Sequence, residues 1–143
     1  LVAAGADVNA LDAQQDTPFL VTGVTGSVPM LRALLPGRPD TQVRNRFGGV
    51  AAIPASERGH VEYVRAVLEL TDIDVNHVNN LGWTALHEAV ILGDGGSRHQ
   101  QVVAALLAGG ADPDIRTREG RTARQEASAR GFSEIAALLA AAD

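Results

Sequence analysis

Short apolar runs recur along the chain at a nearly constant interval. Leu31, Leu34 and Leu35 are followed by Val64, Val67 and Leu68, then by Val103, Leu106 and Leu107, then by Ile135, Leu138 and Leu139. Within each group the steps are those of one face of a helix. Upstream of each run a second segment opens on Thr17, Val50, Thr84 or Thr122 and reaches a glycine nine residues on: Gly26, Gly59, Gly93 or Gly131. Threonine caps a helix by accepting an orphan backbone N–H. Proline at the first helical position, as at Pro18, gives up an N–H that has no helical partner. A glycine in left-handed conformation ends a helix and turns the chain. The pattern predicts two short helices per unit, the second stopped at Gly5 or Gly110 before an Asp/Asn-rich turn.

The opening positions are spaced by 33, 34 and 38 residues, so the third unit carries four or five extra residues. One unit buries too little apolar surface to fold alone, and stacking of neighbours supplies the core. The residues at fixed offsets resemble the ankyrin repeat. Thr17-Pro18 and Thr84-Ala85-Leu86-His87 sit where that family has T-P-L-H, and Gly59-His60 sits at its G-H site. GADVN at 5–9, DIDVN at 72–76 and GADPD at 110–114 match its G-A-D-V-N ending. The tract LGWTALHEAVILGDGG is similar to the third repeat of small bacterial ankyrin proteins. The resemblance implies an all-α solenoid of helix–turn–helix units with β-hairpin-like loops. Its units fall at 11–43, 44–77, 78–115 with a helix–helix loop insertion near 94–99, and 116–143, after the end of a truncated fifth at 1–10.

Leu1 falls inside the second helix of that first fragment, so an earlier part of the repeat is expected upstream. Arg124 and Gln125 stand where Leu86 and His87 stand one unit earlier, which suits a terminal cap whose outer face meets water and a chain ending near Asp143. The segment PFLVTGVTG is rich in β-branched residues and glycine, weak helix formers, and Pro54 enters the helix of the second unit. The half of the chain over 17–60 is therefore expected to be the less stable one.

Composition removes several function classes. No cysteine is present, which excludes disulfides, Cys-ligated metals and a thiol nucleophile. No apolar run approaches the roughly 20 residues that span a bilayer, so no membrane partner is expected and the setting is read as cytoplasmic. A net charge of −5 argues against general nucleic-acid binding. All twelve basic residues are arginine, which with the abundant Ala and Gly points to a GC-rich bacterial source.

Candidate chemistry is thin. His87-Glu88 begins like a metalloprotease H-E-x-x-H but lacks the second His. The resemblance gives His87 and His60 structural roles, and His77 and His99 are expected to be solvated. Asp94-Gly95-Gly96-Ser97 lacks the pattern of a phosphate loop. Asp72/Asp74 and Asp112/Asp114 sit in turns that favour Asp for backbone reasons, and no serine lies in a G-x-S-x-G context. No catalytic residue, cofactor or metal is expected, and the chain is not read as an enzyme.

Ankyrin proteins bind partners through hairpin tips and the concave ends of their first helices, which the resemblance places on named positions. In the third unit these gather Val78, Leu81, Trp83, Ile91 and Leu92, with Phe47 next door. In the second and fourth units they gather seven arginines against Asp16, Glu57 and Glu119. An apolar centre with a charged surround is the pattern of an interface hot spot and its rim. Phe47, Leu81, Trp83 and Leu92 are thus the expected anchors, and Arg44, Arg46, Arg58, Arg116, Arg118 and Arg121 the steering charges. The implied partner is another protein with an apolar anchor flanked by acidic groups. Few aromatic platforms rank a nucleic acid well below it. The expected role is that of a non-catalytic adaptor or regulator. The alternatives are the ankyrin part of a larger enzyme and a purely structural spacer.

Overall fold

The computed structural model of the chain describes residues 9–12 and 16–142. Residues 1–8 of the fragment expected over 1–10, residues 13–15 and Asp143 lie outside the described residues. Among the described residues eight α-helices follow one another: α1 (Pro18–Thr25), α2 (Val28–Leu34), α3 (Ala52–Glu57), α4 (Val61–Leu70), α5 (Ala85–Ile91), α6 (Ser97–Ala108), α7 (Ala123–Ala129) and α8 (Ser133–Ala141). A 3-10 turn, Leu35–Gly37, extends α2. Helices α1, α3, α5 and α7 stack side by side in one layer, and α2, α4, α6 and α8 in a second. Among the described residues there is no strand and no helix long and apolar enough to cross a membrane.

Local chemistry sets the helix starts. Thr17, Thr84 and Thr122 each accept a backbone N–H three residues on, from Leu20, His87 and Gln125. In the last two the third residue reaches back to the cap's own N–H, closing a capping box. Val50 cannot do this, and α3 begins without a side-chain cap, at Ala52. That start puts Pro54 at the third helical position, where the N–H it lacks would have no helical partner anyway.

The weak helix formers of α1 are there for tertiary contacts. The Thr22 hydroxyl, fully buried, donates to Phe19 O at 2.6 Å and shares a 2.8 Å hydrogen bond with the Tyr63 hydroxyl of α4. Burial pushes the Tyr63 phenol up to about 12, against the smaller opposing effect of that bond. At Gly23 a Cβ would lie 2.2 Å from the carbonyl oxygen of Ala51, so glycine lets α1 approach the start of α3. The core runs the length of the stack, from Phe19 and Leu31 through Val64, Val90 and Leu106 to Ile135 and Leu139. Each such side chain contributes about 1.5–3 kcal/mol of burial.

The extra residues of the third unit are only partly a loop. Asp94–Gly96 form the connection, while Ser97, Arg98 and His99 are the first turn of α6. His99 thereby regains the register that His60 holds one unit earlier. The expectation that His99 and His77 are solvated is corrected on this point. His60 Nε2 bonds Val24 O at 3.0 Å, and His99 Nε2 bonds the carbonyl of Glu57, one repeat further on, at 2.7 Å. His77 Nε2 bonds Gly48 O at 2.7 Å. His87 Nδ1 accepts from Thr84 N–H at 3.2 Å, which leaves Nε2–H to donate to Arg121 O at 3.3 Å. Three of the four imidazoles therefore tie one repeat to a neighbour through a backbone carbonyl, and His77 ties the end of the second unit back to that unit's own hairpin tip.

Candidate functional site: a groove across the first three repeats

The hairpin tips are built around single side chains. Asn45 Oδ1 accepts from the N–H groups of Phe47 and Gly49, and Asn79 Oδ1 from those of Leu81 and Trp83, all at 2.9–3.1 Å. Each tip turns at a glycine of positive φ, Gly48 or Gly82, and pushes the residue before that glycine outward. Those residues are Phe47 and Leu81, 59% and 53% exposed. Asn80 N–H donates to Phe47 O at 3.0 Å, fixing one tip against the next.

Between these tips and the inner helices lies a groove of about 860 Å3. Leu20, Val21 and Val24 of α1, Ile53 and Pro54 of α3, and Leu92 after α5 make its apolar lining with Phe47 and Leu81. Arg46 and Arg58 stand at its edge, both exposed, and the Arg46 guanidinium lies 4.8 Å from the centre of the Phe47 ring. Its carboxylates are Asp16, Glu57 and Glu88.

Glu88 is the unusual member. It is only 6% exposed; Oε1 accepts from Asn79 Nδ2 at 2.9 Å, and the buried Oε2 has no hydrogen-bond partner. Burial, then the nearby Glu57 charge, push its carboxyl up to about 7, against the smaller effect of the Asn79 bond. Of the other ionisable groups on the helices packed against α5, Arg58 follows α3 at the groove edge. Arg98 and His99 of α6 are bound to the carbonyls of Gly59 and Glu57. On α7, Arg124 lines a separate cleft and Glu126 is held by two arginines. On α5 itself His87 faces Arg121 O, and burial lowers its pKa, keeping it neutral.

Of the ten residues expected to meet a partner, the groove brings together Phe47, Leu81, Leu92, Arg46 and Arg58. Trp83 is half-buried and outside it, and Arg44 is exposed elsewhere. Arg116 and Arg121 line the separate cleft of about 500 Å3 beside Pro113 and Leu139. Arg116 is bonded to Gly120 O, and Arg121 Nε to Glu126 Oε1, both at 2.8 Å. The Arg118 side chain leans over Gly82. The groove also contains Val21 and Glu88, which the sequence does not single out as face positions. Glu88 lies one helical turn before Leu92, at the i−4 position that shares its face, and Val21 holds the equivalent position in α1. Continuing the concave column back by one turn would have found both.

The remaining sequence motifs have local explanations. Asp94 Oδ1 accepts from Gly96 N–H at 2.8 Å and bonds His99 Nδ1 at 3.0 Å, so the glycine N–H is already taken. Asp74 and Asp112 accept backbone N–H groups two residues on, as turn-formers do. Among the described residues no group of three or more His, Asp or Glu is placed to hold a metal ion.

Comparison with known proteins agrees with this architecture. The family model described as Ankyrin repeats (3 copies) matches residues 21–117. The ankyrin repeat protein YahD of Escherichia coli (strain K12) is 44% identical over 142 residues, covering 99% of this chain and 71% of YahD. The p105 subunit of nuclear factor NF-kappa-B from Gallus gallus is 31% identical over 99% of this chain but only 14% of its own length. An ankyrin repeat domain from Acinetobacter baumannii AYE superposes with a TM-score of 0.94 at 52% identity, covering 99% of this chain and 71% of that one. The ankyrin repeat protein EF0377 superposes with a TM-score of 0.92 at 39% identity, covering 97% and 70%. Such repeats are in general protein-interaction modules rather than catalysts. With its period, caps, two-layer stack and relatives in agreement, this chain belongs to the ankyrin-repeat family.

Proposed function

We propose that the chain is a non-catalytic recognition module, an adaptor or regulator, that holds a partner protein in the groove across its first three repeats. What supports this reading is a mainly apolar concavity that the described residues leave uncovered. Phe47, Leu81 and Leu92 are each about half exposed or more, and Val21 and Val24 face them from α1. Large apolar side chains gathered in a concave site and edged by arginine are the composition of interface hot spots. The partner's matching surface carries an apolar anchor, with acidic groups placed to meet Arg46 and Arg58. Steering by those two arginines weakens as salt rises.

Affinity capture from an extract of the source organism tests the reading. The baits are the wild-type protein and a Phe47→Ser/Leu81→Ser variant whose helicity is matched by circular dichroism. Both side chains are more than half exposed, so their loss leaves folding nearly unchanged, within about 1 kcal/mol. A protein retained by wild type and absent from the folded variant is the expected result. Identical recovery on both baits would contradict the groove as the binding surface.

A further inference from the structure

The inner helices carry one equivalent position per repeat at the middle of the concave column: Val21, Pro54, Glu88 and Glu126. The two glutamates are treated differently. Glu126 is nearly buried, with 13% of its side chain exposed, and two guanidiniums of the same chain hold it: Arg121 Nε at 2.8 Å from Oε1, and Arg130 at Oε2. Burial opposes ionisation there, yet the bonds from Arg130 and Arg121 draw the Glu126 carboxyl below its ordinary value. In the third repeat the positions of Arg121 and Arg130 are occupied by Trp83 and Leu92. Glu88 therefore keeps the carboxyl of this arrangement without its cations, and its Oε2 is left buried and unpartnered. A buried carboxyl oxygen without a donor is costly, and the cost falls when a charged donor arrives.

The space beside Glu88 suits a donor on a long apolar stem. Phe47, Leu81, Val21 and Leu92 line the same groove as Glu88, and a second carboxylate, Glu57, lines it too. Three carboxylates stand against two arginines in the groove, and the arginines are the exposed ones at its edge. With Glu88 ionised the lining carries a net negative charge, which favours a cation.

We propose that the groove takes an arginine or lysine side chain from an extended segment of the partner, its methylene stem along the apolar lining and its charged head on Glu88 and Glu57. The segment's flanking acidic groups meet Arg46 and Arg58. This rests on the groove being the partner site and names the anchor as a cationic side chain with an apolar stem. A bound cation favours ionised Glu88, so binding takes a proton off that carboxyl near neutral pH and strengthens as pH rises.

The test uses four N-acetylated, C-amidated heptapeptides, Glu-Ala-Leu-Xaa-Leu-Ala-Glu, with arginine, lysine, glutamine or norleucine at Xaa. Each is titrated into the isotopically labelled full chain and followed by amide and carboxyl NMR shifts. At about pH 8 the arginine and lysine peptides are expected to shift residues 57 and 79–92 and to bind roughly tenfold or more tightly than the norleucine peptide. That advantage is expected to shrink by severalfold at about pH 5.5, where Glu88 is protonated. It is expected to vanish in a folded Glu88→Gln variant and to fall in Glu57→Gln. If norleucine binds the same groove as tightly as arginine, the cation reading is overturned while the groove stands as a binding site. If no peptide shifts the groove residues, the inference is overturned and the groove reading loses support as well.

Discussion

Replacing Gly23 by alanine is expected to lower the melting temperature by about 2–8 °C, although alanine is the better helix former. Two effects compete. In an exposed helix the exchange stabilises by about 0.5–1 kcal/mol. Here the new Cβ lies 2.2 Å from the Ala51 carbonyl oxygen and 2.9 Å from its carbon, both backbone atoms with no rotamer to move. Relief requires α1 to back away from the start of α3, which also loosens the buried Thr22–Tyr63 hydrogen bond. Overpacking of this kind costs about 1–3 kcal/mol and decides the sign. Repeats are held by their neighbours alone, so the damage should appear as faster amide exchange in α1 and α2 with little change in α7 and α8. A melting temperature equal to or above that of the wild type would mean that helix propensity governs α1.

The second large effect is a pH dependence carried by one carboxyl. Glu88 titrates near 7 in the folded chain against an ordinary 4.5. The folded state therefore binds more protons than the unfolded state between those values. Stability falls as pH rises through that window, and the penalty is complete above about 7. The full shift corresponds to roughly 3–4 kcal/mol, of which the range from about pH 8 to pH 5 covers the larger part. Other groups work in the opposite direction. His87, lowered chiefly by burial, and Glu126, which Arg130 and Arg121 draw down against burial, both lose their stabilising contribution as pH falls. The difference between wild type and Glu88→Gln removes those shared contributions. Relative to the variant, the wild type is expected to gain about 2–3 kcal/mol between about pH 8 and pH 5 in urea unfolding. Parallel pH profiles for the two proteins would show that Glu88 titrates as an ordinary surface carboxylate.

Much of the fold is legible in the sequence because a few residue types act locally. Thr17, Thr84 and Thr122 mark helix starts through their own hydroxyls, and Gly26 ends α1 in a left-handed conformation. Val50 keeps the register without the cap, and only the structure reveals that α3 consequently starts late and accommodates Pro54. The place of His99 is hidden in the sequence because five residues separate it from Gly93, whereas His60 follows Gly59 directly. Local spacing could not reveal that two of them, Ser97 and Arg98, join a helix that returns the imidazole to the repeat interface.

The groove was partly legible for the same reason. Phe47 and Leu81 are aimed outward by tip geometry repeated at a fixed offset, so their exposure follows from register. Trp83 stands at the register position of Gly49, and its hydrophobicity alone does not say which way the ring turns; it is half-buried outside the groove. Arg121 carries a formal charge in the sequence, but the structure uses that charge on Glu126. Glu88 was hidden beside His87 as a fragment of a metal motif. Adjacent helical residues point about 100° apart, and here the His87 imidazole serves the neighbouring repeat while Glu88 is among the residues that line the groove.

The most direct measurement is the dissociation constant of the captured partner for wild type, Leu81→Ala and Met30→Ala. Both side chains are apolar and about half exposed, but Leu81 lines the groove and Met30 lies on the outer helix α2. If the groove is the binding surface, Leu81→Ala weakens binding by about tenfold or more, while Met30→Ala leaves it unchanged. Equal affinities for all three proteins, or a loss confined to Met30→Ala, would contradict it.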